Sequence, residues 1–254
     1  QSKANQSKTK QSKANQSKAN QSKANQSKAN QTKANQTKAN QSKANQNMAL
    51  APAYAIGHKL LSGSSGAHTL EVFLDYTCPF SAKIWRTLQG QVLPWLGSLS
   101  PAPVTVIFRH QVQPWHPSST LLHEASLAVE KINPQGFALY SSALFDKQRE
   151  YFDEATVSLS RTEIYRQLAQ LATSVNAVDD RLVVLQMLDI QQADAADARN
   201  VGNAVTDDLK YHIKLARAQG IHVSPTVVFD GIRDDGVSSS WGLDQWKVWL
   251  EPKL

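Results

Sequence analysis

The sequence has a single cysteine, Cys78, among 254 residues. One thiol excludes a disulfide framework and any cysteine-cluster metal site. No apolar run approaches the ~18–20 residues of a membrane-spanning helix, so no span is expected. No Gly-x-Ser-x-Gly elbow occurs, which removes the sequence support for a serine hydrolase. Acidic residues are missing altogether from residues 1–47, which hold ten lysines. The remainder keeps 17 of the 27 Lys and Arg against all 21 Asp and Glu, a net of −4 beneath an overall charge of +6. The basic balance therefore belongs to one segment and not to a folded domain, and specific nucleic-acid recognition loses its support.

What is present falls into two populations. Nine consecutive five-residue units run from Gln1-Ser2-Lys3-Ala4-Asn5 to Gln41-Ser42-Lys43-Ala44-Asn45, varied only at Thr9, Lys10, Thr32 and Thr37. Five residues turn a helix by about 500°, so successive alanines precess around the axis and build no apolar stripe. Nothing in the repeat offsets its chain entropy, and residues 1–47 read as disordered. As a charged arm they would meet anionic partners; as an expanded coding repeat they would have no role. Met48 stands where ordinary composition begins, the place where a tail-less form would start. Gln1 is not an initiator residue, which fits removal of a preceding leader. Residues 48–254 have ordinary globular composition and, at roughly 207 residues, suffice for one domain with an insertion.

Periodicity is informative from there on. Leu70-Glu71-Val72-Phe73-Leu74-Asp75-Tyr76 is a run of buried-strand length. It leads into Thr77-Cys78-Pro79-Phe80-Ser81 and a helix with Ile84, Trp85 and Leu88 at core spacing. Pro79 suits the first helical position, which puts Cys78 near the N-cap. Val104–His110 reads as a second strand. Residues from about 117 to 218 read as helix, with one stripe at Ile164, Leu168, Leu171 and Val175 and another at Val201, Val205, Leu209, Ile213 and Ala216. Phe145, Tyr151 and Phe152 are expected in the core of this helical block. Gly220 suits a left-handed helix cap. Ile221 to Gly231 reads as strand, interrupted by Ser224-Pro225 and turned at Asp230-Gly231. Trp246, Trp249 and Leu250 mark a short closing helix.

The segments Leu70–Trp85 and Gly220–Gly231 resemble the thioredoxin superfamily. The helical block between the second strand and the proline-containing hairpin is similar to the DsbA-like branch, over residues 52–252. Phe108-Arg109-His110-Gln111-Val112-Gln113-Pro114-Trp115-His116-Pro117 also resembles a segment of fungal DsbA-like proteins. The resemblance implies an α/β thioredoxin-like fold with an inserted helical domain at about 117–200, preceded by the disordered repeat. It further implies a cis Ser224–Pro225 bond that keeps the Ser224 backbone beside Cys78, ready to pair with an extended peptide or with glutathione.

A thiol at a helix N-terminus sees unpaired N–H groups and the positive dipole end, worth ~0.3–1 kcal/mol toward the thiolate. Cys78 is the candidate nucleophile, with Pro79, Phe80, Ser81, Ser224 and Pro225 as candidate substrate-binding residues. Dithiol members of the superfamily carry a second cysteine where this chain has Ser81. A hydroxyl forms no disulfide, so dithiol cycling within one molecule is excluded. One-thiol chemistry remains, with a thiol or disulfide substrate and glutathione as co-substrate; no bound cofactor is expected. Kappa-class glutathione transferases resemble the same architecture, and there Ser81 or Cys78 would activate a bound glutathione thiolate. The rival from another class is an inactive module that binds an extended peptide beside Pro225. Asp75 is either a proton carrier for the thiol or a hydrogen-bonded structural acid. His116, in a proline-flanked loop, is a candidate to tune the thiol's charge, and Trp115 beside it a candidate groove wall. His110, His116 and His123 lack the i, i+4 spacing of a helical metal pair, so no metal site is expected. One free thiol favours a reducing cytoplasm, with secretion the alternative if a leader preceded Gln1. Oligomeric state is not readable.

Deleting residues 1–47 is expected to leave the melting temperature of the remainder unchanged. Thermal unfolding of both forms checks this; a drop of several degrees overturns the reading of the repeat.

Overall fold

The structure, a computed structural model, describes residues 58–190 and 200–254. The repeat, Met48 and a stretch at 191–199 of the helical block lie outside the described residues. No helix among the described residues is long and apolar enough to cross a membrane.

The chain starts with a short strand β1 (Lys59–Leu61) and a long one, β2 (His68–Leu74). Helix α1 (Pro79–Thr87) follows, and a π-helical turn at Leu88–Val92 carries it into α2 (Leu93–Ser98). Strand β3 (Val104–His110) returns parallel to β2, as a helical crossover allows. The inserted helices are α3 (Pro117–Ile132), α4 (Phe137–Asp146), α5 (Asp153–Thr156), α6 (Arg161–Ser174) and α7 (Arg181–Leu188). Helix α8 (Thr206–Ala218), strands β4 (Thr226–Phe229) and β5 (Ile232–Asp234), and α9 (Leu243–Leu250) close the fold.

The sheet order is β1-β3-β2-β4-β5, with only β2 and β3 parallel. Strand β2 is central, and both of its faces are covered. Leu70, Val72 and Leu74 join Trp85, Phe108, Phe137 and Phe145 in the main core. Phe73 points the other way, against Ala216, Ile221 and Val228. This double burial is why β2 reads as a continuous apolar run without alternation.

Local chemistry sets the boundaries. Pro117 occupies the first turn of α3, where its missing N–H costs nothing. Ser160 and Glu163 form a reciprocal capping box on α6. Gly220, at φ 68°, ends α8 in the left-handed region. Asp230 and Gly231, at φ 48° and 80°, supply the two positive φ values of a tight hairpin between β4 and β5.

The structure departs from the sequence reading in five places. Strand β1 was not anticipated; three residues are too few to show a period. Strand β2 ends at Leu74, where Asp75 turns its carboxylate inward, and so excludes Tyr76. Strand β4 begins only at Thr226, because Ser224-Pro225 forms a separate loop. Val201 is 45% exposed and precedes α8, so it does not belong to that helix's stripe. Phe145 and Tyr151 are buried as expected, whereas Phe152 is only partly covered.

One buried ion pair crosses the sheet. Arg109 Nε donates to Glu71 Oε2 at 2.6 Å, and each residue is 1% exposed. Removing one charge strands the other away from water. Glu71→Gln is therefore expected to cost about 3–5 kcal/mol, measured by urea unfolding; a loss below 1 kcal/mol would contradict this account.

Candidate active site

Cys78 is the N-cap of α1, with Pro79 at the first helical position. The strand delivers it there: the Cys78 N–H donates to the Asp75 carbonyl at 3.2 Å, closing a turn directly after β2. The Cys78 carbonyl then accepts from Ala82 N to begin the helix. No side chain caps α1, and the first N–H groups of a helix have no intrahelical partner.

The Ser224–Pro225 bond is cis. Cys78 Sγ donates to the Ser224 carbonyl at 3.3 Å, so the proline loop and the thiol meet as expected. Cys78 is 5% exposed and Ser224 8%. Close to them in the chain, Phe80 is 62% and Val223 59% exposed.

Ser81 lies in the first turn of α1 and is fully buried. Its hydroxyl accepts from Asp75 N at 3.2 Å. The group reads as a brace for the turn and presents no open face to a ligand.

Asp75 is the hub beneath the thiol. Oδ1 accepts from Thr77 N at 2.6 Å and Thr77 Oγ1 at 2.5 Å. Oδ2 accepts from Gln113 N at 2.7 Å and Ser119 Oγ at 2.5 Å, with His123 Nε2 at 3.7 Å. Burial by itself would raise its pKa, but His123, Ser119 and Thr77 together hold the carboxyl below the usual carboxylate value. Of the two roles open to Asp75, this geometry is that of the structural acid. The Gln113 contact also brings the loop bearing Trp115, 58% exposed, to the base of the turn. His116 caps α3, and its Nδ1 is engaged by Asp153 Oδ2 at 2.9 Å. Its partner is thus an acid of the insertion and not the Cys78 thiol.

Two supports escaped the sequence reading. Gln148 Nε2, from beyond α4, donates to the carbonyls of Tyr76 at 3.0 Å and Cys78 at 3.3 Å. Tyr76, whose phenol burial pushes well above its usual pKa, meets Ser126 Oγ at 2.6 Å and Ser141 Oγ at 2.8 Å. Both tie the insertion to the turn, and no local pattern announces a contact that closes so long a loop.

No protein-family model matches the sequence, and no curated protein matches it significantly. Solved structures do. A protein-disulfide isomerase candidate from Pseudomonas syringae is 23% identical at a TM-score of 0.60, covering 78% of this chain and 99% of its own. MdbA, a thiol-disulfide oxidoreductase from Corynebacterium diphtheriae, is 17% identical at 0.53, over 74% and 86%. The thiol-disulfide exchange protein alpha-DsbA2 from Wolbachia pipientis is 14% identical at 0.51, over 76% and 86%. Likeness at these identities establishes the fold: this is a DsbA-like thioredoxin fold with a helical insertion, bearing one cysteine at its first strand-to-helix turn.

Asp75→Asn replaces an acceptor of four donors by a group that must turn an NH2 toward two of them. It is expected to cost about 3 kcal/mol or more. Because the folded carboxyl titrates below its unfolded value, its contribution is complete above pH ~4 and is lost as pH falls through the folded value. Unfolding free energies from pH 7 to 3 check both points: wild type should lose stability across the acid range, and the variant should lose less.

Proposed function

We propose that the protein is a single-thiol thiol-disulfide oxidoreductase acting on disulfides of extended peptides, with glutathione as co-substrate. The carrying observation is Cys78, a helix N-cap whose sulfur rests against the carbonyl of a cis-proline loop. The Corynebacterium and Wolbachia proteins of this fold are a thiol-disulfide oxidoreductase and a thiol-disulfide exchange protein.

The chemistry balances with one protein thiol. Cys78 loses its proton, and with it the bond to the Ser224 carbonyl. The thiolate attacks one sulfur of a substrate disulfide, forms a mixed disulfide and releases the other sulfur as a thiolate. A glutathione thiolate then attacks the substrate sulfur of that mixed disulfide, freeing Cys78 and leaving glutathione joined to the substrate. No second protein cysteine is consumed. The exposed Phe80 and Val223 flanks suit an extended, apolar peptide segment. The kappa-like alternative draws less support, since Ser81 is fully buried.

One observation favours a second reading. At 5% exposure the sulfur is shielded, as an inactive peptide-binding module would have it. Thiol reactivity separates the two. The enzymatic reading predicts fast alkylation of Cys78 below pH 8 and a Cys78–glutathione mixed disulfide on exposure to oxidised glutathione. Ser81→Cys should close an internal disulfide with Cys78 and gain insulin-reducing activity, and Cys78→Ala should abolish both. A folded wild-type protein whose thiol stays unreactive, together with a Ser81→Cys variant that never closes, overturns the enzymatic reading.

A further inference from the structure

Away from the Cys78 turn, three histidines distant in sequence converge inside the protein. His58 stands immediately before β1, His110 is the last residue of β3, and His212 lies within α8. They are 0%, 1% and 1% exposed. One ring nitrogen from each lies within 4.8 Å of those of the other two. Their ring centroids are 4.8–4.9 Å apart, and the His58 and His212 rings are nearly parallel.

The outer contacts of two of these rings orient them inward. His58 Nδ1 lies 2.6 Å from Glu130 Oε2, so a proton on Nδ1 leaves a lone pair on Nε2. His110 Nδ1 lies 2.5 Å from His123 Nδ1; with His110 as donor of that bond, a lone pair stands on His110 Nε2, an atom with no hydrogen-bond partner among the described residues. Metal-binding histidines are characteristically fixed in this way, with the second ring nitrogen held by a carboxylate or another acceptor.

The geometry points to a buried three-histidine site for one divalent d-block cation of the zinc type, built by His58, His110 and His212 with Glu130 behind His58. Zinc–nitrogen bonds of about 2.0–2.1 Å place tetrahedral ligand atoms ~3.4 Å apart, so nitrogens up to 4.8 Å apart must close by as much as about 1.4 Å. Imidazole donors suit zinc, cobalt, nickel and copper better than calcium or magnesium. Charge is partly balanced: Glu130 and Asp75 are buried on the same network, and the nearby Arg109 is paired to Glu71. The ion would pin the start of β1, the end of β3 and α8 to one another, a structural role independent of the thiol chemistry.

The test uses the full chain without a histidine tag, stripped with a chelator and titrated with Co(II) and then Zn(II). The expected result is one tight equivalent, four-coordinate cobalt visible bands without sulfur charge transfer, and a higher melting temperature. Cys78→Ser should behave identically. His212→Gln should weaken binding by more than the ~10–100-fold that loss of an outer-shell partner costs. Should that variant fail to fold, ring-nitrogen NMR of the wild-type protein decides: zinc must shift His58, His110 and His212. No stoichiometric uptake by folded wild type, unchanged affinity in a folded His212→Gln, or shifts confined to His68, His116 and His222 would each overturn the site.

Discussion

The end of β2 depends on a carboxylate that has been taken out of water and given donors in return. Asp75 cannot be solvated where it lies, so the N–H groups of Thr77 and Gln113 and the hydroxyls of Thr77 and Ser119 replace its hydration shell. The four donors come from three parts of the site: the turn that presents Cys78, the loop after β3, and the first turn of the insertion. The carboxylate is thus a common origin from which three segments take their positions. Its own backbone N–H and carbonyl engage Ser81 and Cys78, so the thiol is indexed to the same point.

This arrangement separates holding from reacting. Among the described residues the sulfur has one hydrogen-bond partner, the Ser224 carbonyl, a bond that a thiol makes and a thiolate loses. Everything else around it is braced by groups that do not change charge during exchange. Gln148 and Tyr76 extend the brace into the helices, so the insertion serves as a buttress for the turn as well as a cover for the sheet.

Much of this was legible in the sequence because it is local. An apolar run followed by Thr-Cys-Pro gave the strand, the cap and the nucleophile, and Gly220 and Asp230-Gly231 marked turns through the φ values they tolerate. The fold class came from the order of elements together with the resemblance to DsbA-like proteins. What was hidden is non-local. Asp75 was weighed between two roles because its donors arrive from residues 77, 113 and 119. The histidine cluster was missed for the same reason: spacing tests detect ligands on one helix, and these three come from a loop, a strand end and another helix. Ser81 looked available because sequence position says nothing about which way a hydroxyl points.

The pairing of β4 with β2 carries a consequence for how this chain can vary. Phe73 pairs with Thr226, one residue after Pro225, and the hairpin tip is fastened to the start of β2 where Asp230 accepts from Thr69 N at 2.8 Å. Between those two anchors the strand works as a ruler graduated in residues. An insertion of one residue there would shift the ladder by about 3.4 Å and turn each side chain to the opposite face. The Ser224 carbonyl would leave the sulfur altogether. Within the insertion the α4–α5 connection is held to the turn by Gln148, so divergence in chain length should collect in the other loops of the insertion and spare the four residues of β4.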